Sequence, residues 1–371
     1  MDHGRRLRRL QALVAESKLD FLLVTHLPNV RYLSGFTGSA AALLMSSEGA
    51  TVFTDGRYIA QARQEVQAAR VVIDSKAPAL AAAEWLLGQG NGGRRGGSSR
   101  PSRTLGVEAE WMTVAGRDRL ASVLRGKAKV RPAPGWVEQA RMVKDAGEIQ
   151  RIREAVRLGA SLFGIAKKTI RPGVREYEVA AAMEYEARRQ GAEGMSFPTI
   201  LASGPRSAIV HGRASDARIP RRGFVVCDFG VILAGYCSDR TRTVHVGRPS
   251  KEGRSLYAAV LEAQECAIAA VRAGVTAGEV DEAARGVLRE RKLARWFTHS
   301  TGHGLGLEIH EQPRVAAGQR QKLEPGMVVT IEPGAYVPGE WGVRIEDVVV
   351  VTASGCEVLT PTEKDLVVIE A

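Results

Sequence analysis

The first third of the chain alternates between apolar runs and amphipathic segments. Apolar residues recur at helical spacing over residues 5–18, which predicts an amphipathic helix. Short apolar runs predict strands over residues 21–24, 41–45, 50–53, 71–73 and 104–107, with another helix over residues 59–69. Strands that alternate with helices predict an α/β domain whose sheet is mostly parallel or mixed.

A proline- and glycine-rich segment at residues 131–136 interrupts this alternation. Because proline and glycine break both helices and strands, we expect a boundary there between domains of residues 1–135 and 136–371. A charged helix is then predicted over residues 146–168. Residues 88–102 have the composition of a flexible surface loop and lack the Gly-Lys-Ser/Thr spacing of a phosphate loop.

The second domain contains an internal repeat. Residues 170–179 and 271–280 both begin with an apolar residue and arginine, continue to Gly-Val and close on Glu-Val. Each copy predicts a helix that ends at a glycine cap, a turn and the start of a new helix. A hairpin bearing acidic residues follows each copy. We therefore expect two related α-β-β halves with a site between them.

Carboxylates interrupt the apolar strands of both hairpins. Folding the first hairpin about residues 233–234 places Asp228 directly opposite Asp239. The same symmetry in the second hairpin opposes Glu332 to Glu346. Side chains in such positions have Cβ atoms about 4.5–5.5 Å apart, and like charges there are destabilising. Cations between the acids would turn this repulsion into chelation, so the two pairs predict a metal centre.

A glycine-rich run at residues 301–311 adds histidines to these acids. Within it, His303 lies between two glycines and lacks bulky neighbours that would bury it, which predicts a nitrogen ligand. Carboxylates with one imidazole suit Mn²⁺, with Co²⁺, Fe²⁺ or Zn²⁺ as alternatives. Five ligands, several of them able to bridge, suit two ions about 3.5–4 Å apart. The run has no third glycine at residue 309, which argues against a dinucleotide site.

Charge and cysteine content narrow the class of protein. The net charge of +11 comes mostly from arginine, which is spread along the chain with a few small clusters. Because only 5% of residues are aromatic as well, the sequence argues against a nucleic-acid partner. Four cysteines without a Cys-x-x-Cys pair argue against a thiolate zinc site and indicate a reducing compartment. No segment approaches the roughly 20 apolar residues of a membrane span. The expected location is the cytoplasm.

These motifs resemble the pita-bread metallopeptidase family, M24, in its Xaa-Pro aminopeptidase and Xaa-Pro dipeptidase (prolidase) branch. The resemblance rests on residues 199–211, on the acids and histidines above and on Arg344-x-Glu346. Residues 31–38 and 54–58 resemble the creatinase-like N-terminal domain, which methionine aminopeptidases usually lack. The resemblance implies an α/β fold, with a creatinase-like domain followed by a pita-bread domain of two pseudo-symmetric α-β-β halves.

The resemblance also implies roles for individual residues. The implied metal ligands are Asp228, Asp239, His303, Glu332 and Glu346. His211 and His310 match histidines that hydrogen-bond the scissile carbonyl and the developing oxyanion, and Glu332 is the expected proton acceptor. Arg344 matches an arginine that orients a carboxylate, either of the substrate or of Asp228. Two divalent metal ions, a proline-containing peptide substrate and a homodimer are implied as well.

The predicted activity is that of an Xaa-Pro aminopeptidase, which cleaves the bond between an N-terminal residue and a following proline. The main alternative is an Xaa-Pro dipeptidase acting only on dipeptides, because both activities share the ligand set. Residues 36–39 and 54–58 favour the aminopeptidase. A non-catalytic binding protein and a metal-independent creatine-type hydrolase are further alternatives on the same fold, and the complete ligand set argues against both.

Overall fold

A computed structural model describes residues 1–88, 103–360 and 363–371. Apart from Gly88, the predicted surface loop over residues 88–102 lies outside the described residues. The described residues divide into two compact units, Met1–Arg141 and Met142–Ala371. The boundary placed between residues 135 and 136 stays a prediction. None of the helices in the described part of the chain has the length and apolar character needed to cross a membrane.

The first unit alternates helices and strands as predicted. Its helices are α1 (His3–Glu16), α2 (Leu27–Ser34), α3 (Ile59–Glu65), α4 (Pro78–Gly88), α5 (Val114–Leu124) and α6 (Trp136–Met142). Its strands are β1 (Phe21–Val24), β2 (Ala41–Met45), β3 (Ala50–Thr54), β4 (Arg70–Ile73), β5 (Arg103–Glu108) and β6 (Ala128–Ala133). They form a mixed sheet in the order β4-β3-β2-β1-β5-β6, which confirms the predicted α/β architecture.

Apolar side chains explain where these strands form. Leu23, Phe53 and Leu105 are fully buried in one core cluster of the sheet. The predicted strands agree with the observed ones to within a residue or so at each end. Helix α3 is shorter than predicted because Val66 adopts an extended conformation and ends it at Glu65.

The second unit contains longer helices and more strands. Its helices are α7 (Ala146–Thr169), α8 (Glu176–Arg189), α9 (Lys251–Ala270) and α10 (Ala277–Glu290). Its strands are β7 (Gly194–Met195), β8 (Ile200–Ser203), β9 (Gly223–Asp228), β10 (Val231–Leu233), β11 (Tyr236–Cys237), β12 (Thr241–Val246), β13 (Gly302–Gly304), β14 (Glu311–Val315), β15 (Val328–Ile331), β16 (Gly334–Val337), β17 (Trp341–Arg344), β18 (Asp347–Val351), β19 (Cys356–Val358) and β20 (Val368–Ile369). Short 3₁₀ helices lie at Gly56–Tyr58 in the first unit and at Gly204–Ala208 and Ala294–Trp296 in the second.

The larger sheets of the second unit follow the predicted halves. One has the order β20-β12-β9-β8, and the other has the order β14-β13-β15-β18-β19. Helices α7 and α8 share a buried core with the first sheet, and α9 and α10 share one with the second. The described strands therefore confirm the prediction of two α-β-β halves.

The sequence repeat has the same local structure in both halves. Glu178 and Glu279 each accept a hydrogen bond, 2.7 Å long, from the backbone nitrogen that precedes α8 and α10, respectively. The repeated glycines do not cap α7 and α9 as predicted. Gly173 and Gly274 lie in the following turn, both at φ +86°, a conformation that glycine adopts without strain.

The first acidic hairpin differs from the prediction in its register. Its turn is Ala234–Gly235, where φ is positive at both residues (48° and 79°), as in the tight turns that join antiparallel strands. Asp228 therefore pairs with Thr241 in the β9–β12 ladder and not with Asp239. The prediction that Asp228 lies directly opposite Asp239 is wrong, because the centre of the hairpin lies one residue further along the chain than predicted. The pairing shifts by two residues, and Asp239 lies outside the ladder, just before β12.

The second acidic hairpin keeps its predicted register but is not continuous. It splits into a β15–β18 ladder and a β16–β17 ladder with matching register on both sides of a gap. Glu332 and Glu346 lie in that gap, across from each other as predicted, and outside the strands. Pro333 has no N–H to donate, so a regular ladder cannot continue past Glu332.

Candidate metal centre

The structure brings the predicted ligands together at the junction of the two halves. They are Asp228 at the end of β9, Asp239 before β12, His303 in β13, Glu332 after β15 and Glu346 between β17 and β18. Side-chain ligand atoms of Asp239, His303 and Glu346 all lie within 4.8 Å of one another. The Nε2 atom of His303 lies 3.5 Å from Asp239 Oδ2 and 3.4 Å from Glu332 Oε1. Their roles as ligands stay a prediction.

The orientation of His303 suits a metal ligand. Its Nδ1 lies 2.9 Å from the carbonyl oxygen of Gly304. Because a carbonyl can only accept, Nδ1 donates this hydrogen bond. Nε2 is therefore the ring nitrogen that faces the carboxylates of Asp239 and Glu332. A cation between these atoms would make the arrangement favourable, and a ring held through its other nitrogen is common in metal sites.

The carboxylates carry unfavourable charge and unsatisfied atoms. Burial, followed by the neighbouring carboxylates, raises the pKa of Asp239 and of Glu346 well above the usual range. Burial also raises the pKa of Glu332, although His303 acts in the opposite direction. Among the described residues, Asp228 Oδ1 and Glu346 Oε1 are buried without a hydrogen-bond partner. Oxygen-rich ligands with unused buried oxygens fit divalent cations.

Arg344 supports the centre from within the protein. Its side chain is 3% exposed and donates hydrogen bonds to Asp228 Oδ2, to the Tyr336 hydroxyl at 2.7 Å and to Thr241 Oγ1 at 3.0 Å. Burial lowers the pKa of Arg344, but Tyr336 and Asp228 outweigh this effect and raise it well above its ordinary value. Arg344 thus contacts the carboxylate of Asp228, one of the two expected from the resemblance, and its role toward a substrate stays a prediction.

Sequence reasoning missed the uncharged residues that hold this arrangement. Thr241 donates a 2.8 Å hydrogen bond to Glu346 Oε2 and accepts one from Arg344. Tyr336 lies between Arg344 and His299, whose Nε2 is 2.9 Å from the tyrosine hydroxyl. Burial lowers the pKa of His299 to about 3, so this ring is neutral. Strand alternation from Asp239 would have identified Thr241, but no local signal marks the other two.

The predicted non-ligand histidines lie nearer the solvent. His211 and His310 are both exposed, and the His310 ring packs edge-on against His303 with 4.4 Å between the ring centres. Partial burial, together with His303 and His211, lowers the pKa of His310 to about 4, so the ring is neutral at pH 7. Within the described residues, neither ring nitrogen of His310 has a hydrogen-bond partner. Both nitrogens are available to a substrate.

The Tyr336 hydroxyl offers a test of the supporting network. We expect Tyr336→Phe to reduce kcat/KM by about 10–100-fold, the usual effect of losing a group that orients a metal ligand. Loss of this buried hydroxyl should also cost about 1–3 kcal/mol of stability, because Arg344 and His299 lose a partner. Steady-state kinetics and thermal denaturation measure both effects. The exposed Tyr185→Phe is the matched control, and unchanged kcat/KM in Tyr336→Phe would contradict the expectation.

Comparison with known proteins identifies the family. Residues 150–353 match Metallopeptidase family M24, and residues 6–143 match the Creatinase/Prolidase N-terminal domain. Among solved structures, an Xaa-Pro dipeptidase from Bacillus anthracis is 38% identical, with 99% of each chain covered and a TM-score of 0.92. The prolidase from Pyrococcus horikoshii OT3 is 34% identical over 98% of this chain and 100% of its own, with a TM-score of 0.89.

An aminopeptidase is similar as well. The X-Pro aminopeptidase from Thermotoga maritima MSB8 is 37% identical over 97% of this chain and 99% of its own, with a TM-score of 0.86. These matches confirm the fold class, the creatinase-like first domain and the metallo-exopeptidase class expected from the sequence. The family uses divalent metal ions, which agrees with the donor set described above. The chain belongs to metallopeptidase family M24, with a creatinase-like domain ahead of its catalytic domain.

Proposed function

We propose that this protein is an Xaa-Pro dipeptidase that uses two divalent metal ions to hydrolyse dipeptides ending in proline. The observation that carries the proposal is the cluster of His303 with three carboxylates, to which Asp228 adds a fourth that acts electrostatically on Asp239. Relatives support the dipeptidase specificity, because the similar proteins include several named Xaa-Pro dipeptidases or prolidases. They favour the dipeptidase alternative over the aminopeptidase predicted from the sequence.

In this proposal five side chains hold the metal ions. These side chains would be Asp228, Asp239, His303, Glu332 and Glu346. The mainly carboxylate donor set favours Mn²⁺, and Co²⁺, Fe²⁺ and Zn²⁺ are the alternatives. When bound, such ions polarise a carbonyl and lower the pKa of water toward 7 from its bulk value of about 15.7.

Glu332 is the proposed carrier of the proton. Its Oε1 accepts a 3.2 Å hydrogen bond from Thr330 Oγ1, and the same oxygen of Thr330 accepts from the backbone nitrogen of His303 at 3.0 Å. Thr330 therefore fixes Glu332 and His303 relative to each other. Burial raises the pKa of Glu332, which brings it closer to that of an efficient base at neutral pH. Glu332 would take a proton from the attacking water and return it to the proline nitrogen.

His310 and His211 are the proposed donors to the substrate. A neutral imidazole carries one N–H, which can hydrogen-bond the scissile carbonyl and the oxyanion that develops from it. The ring of His310 touches that of His303, so its donor lies next to the predicted metal ions. Electrostatic donors aimed at developing charge supply a large part of the acceleration in such enzymes.

We further propose that the protein is a cytoplasmic homodimer. Support for the location comes from the cysteines, all of which lie in the described residues and are free thiols. Support for the dimer comes from the family resemblance alone. Sedimentation equilibrium of the purified protein measures the oligomeric state directly.

Comparing Ala-Pro with Ala-Pro-Ala tests the proposed specificity. We expect a larger kcat/KM for Ala-Pro, because a dipeptidase must accommodate the free carboxylate that directly follows proline. A larger value for Ala-Pro-Ala would instead support the aminopeptidase. Ala-Ala, which lacks proline, and protein treated with a chelator serve as controls. Hydrolysis that survives complete metal removal would contradict the metal-dependent proposal.

A further inference from the structure

The position of His310 depends on the loop that carries it. In the described residues the imidazole forms no hydrogen bond of its own, so the loop of residues 305–311 sets where its donor points. The backbone anchors the start of this loop, since Cys237 donates its N–H to the Gly306 carbonyl at 2.7 Å. Gly306 in turn donates to the Glu308 carbonyl at 3.0 Å. Neither contact reaches the end of the loop at His310.

Glu311 anchors the other end of the loop. Its Oε1 accepts a 3.1 Å hydrogen bond from the backbone nitrogen of Glu308, which closes the loop on itself. In the β13–β14 ladder, Glu311 pairs with Gly304, the residue after His303, where the register is irregular. Glu311 thus directly follows His310 in the chain. Its partner across the ladder, Gly304, directly follows His303.

A buried lysine completes this anchor. The Nζ atom of Lys144 lies 3.1 Å from Glu311 Oε2, and the two side chains are only 1% and 7% exposed. Lys144 Nζ also donates to the Met142 carbonyl at 3.3 Å, and its backbone N–H donates to the Gly326 carbonyl at 2.9 Å. The lysine is therefore fixed to a separate part of the second unit. Through it, the loop is tied to a segment outside the metal centre.

We propose that the buried Lys144–Glu311 ion pair positions His310 for its contact with the substrate. Among the described residues, the Lys144 side chain forms its hydrogen bonds with the Met142 carbonyl and Glu311, and none with a predicted metal ligand or His310, so it acts through Glu311 and the loop. A pair buried this well is barely screened by solvent and holds its geometry tightly. This inference rests on the proposed role of His310 in catalysis.

Replacing Lys144 by methionine removes the charge and keeps the length of the side chain. We expect kcat to fall by about 10–100-fold, because a displacement of about 1 Å at a reacting group can cost about 10²-fold in rate. Metal content and KM should remain close to those of the unaltered protein, which a general disturbance of the fold would not produce. Arg153→Met, which breaks a surface ion pair with Glu357 in the same unit, is the control and should keep full kcat.

A double variant keeps the test valid if Lys144→Met does not fold. Lys144→Met with Glu311→Gln removes both charges, so no unpaired charge remains buried, and such neutral replacements are often tolerated. Glutamine also keeps an oxygen that can accept from the Glu308 backbone. A folded double variant with reduced kcat supports the proposal. A folded double variant with full kcat overturns it.

Combining Lys144→Met with His310→Ala separates the inference from the proposed function. If Lys144 acts through His310, the substitution should cost nothing further once the imidazole is absent. An equal loss in both backgrounds would show that Lys144 acts independently and would overturn the proposal. Full activity of His310→Ala alone would remove His310 from the proposed mechanism. If His310→Ala lowers kcat and Lys144→Met does not, the proposed positioning role of Lys144 is rejected, while the proposed role of His310 stands.

Discussion

Glutamine in place of Glu346 is expected to abolish most metal binding together with most activity. The substitution removes one charge and one possible bridging oxygen from a cluster whose acids repel one another. Substituting a residue that only supports a metal ligand typically lowers metal affinity or activity by about 10–100-fold. Loss of a ligand itself should therefore lower them by more than about 100-fold. Elemental analysis and calorimetric titration with Mn²⁺ measure the binding, and hydrolysis of Ala-Pro measures the rate.

The fold should tolerate this change. Glutamine has nearly the same shape as glutamate and can still accept the hydrogen bond from Thr241. Removing one of several repelling charges should leave the metal-free protein at least as stable, which thermal denaturation after chelation will show. Glu340→Gln, an exposed change in the same hairpin, is the matched control. Two tightly bound ions in Glu346→Gln would refute the role of Glu346 as a metal ligand.

His310→Ala should leave the metal in place and slow the reaction. Removing one donor to an oxyanion usually costs about 10²–10³-fold in kcat. The exposed ring forms no hydrogen bond with the described residues, so its loss should change stability little. Turnover of Ala-Pro, metal content and thermal midpoint measured on one preparation would separate the two effects.

A second substitution distinguishes the donor from the bulk of the ring. His310→Gln keeps an N–H donor near the same place and should recover part of the activity that alanine loses. Equal activity of the alanine and glutamine variants would show that His310 does not act by donating a hydrogen bond. Loss of metal in His310→Ala would instead mean that its contact with His303 supports the centre.

Strand register shows where reasoning from sequence reaches its limit. Alternating apolar residues located both acidic hairpins, but the strand partner predicted for Asp228 was wrong. The pairing itself depends on which two residues form the turn. Ala234 adopts a positive φ that a residue with a side chain disfavours. The residue types at the turn therefore gave the wrong centre for the hairpin.

By itself, the sequence determined the α/β class, the repeated halves and which acids and histidine could form a metal centre. These properties depend on local periodicity and spacing, which a linear pattern contains. Only the tertiary structure decided which distant side chains contact one another around the centre. Arg344 meets Asp228 and Lys144 meets Glu311 across more than a hundred residues. Such contacts arise because distant segments pack together, and no local pattern encodes that packing.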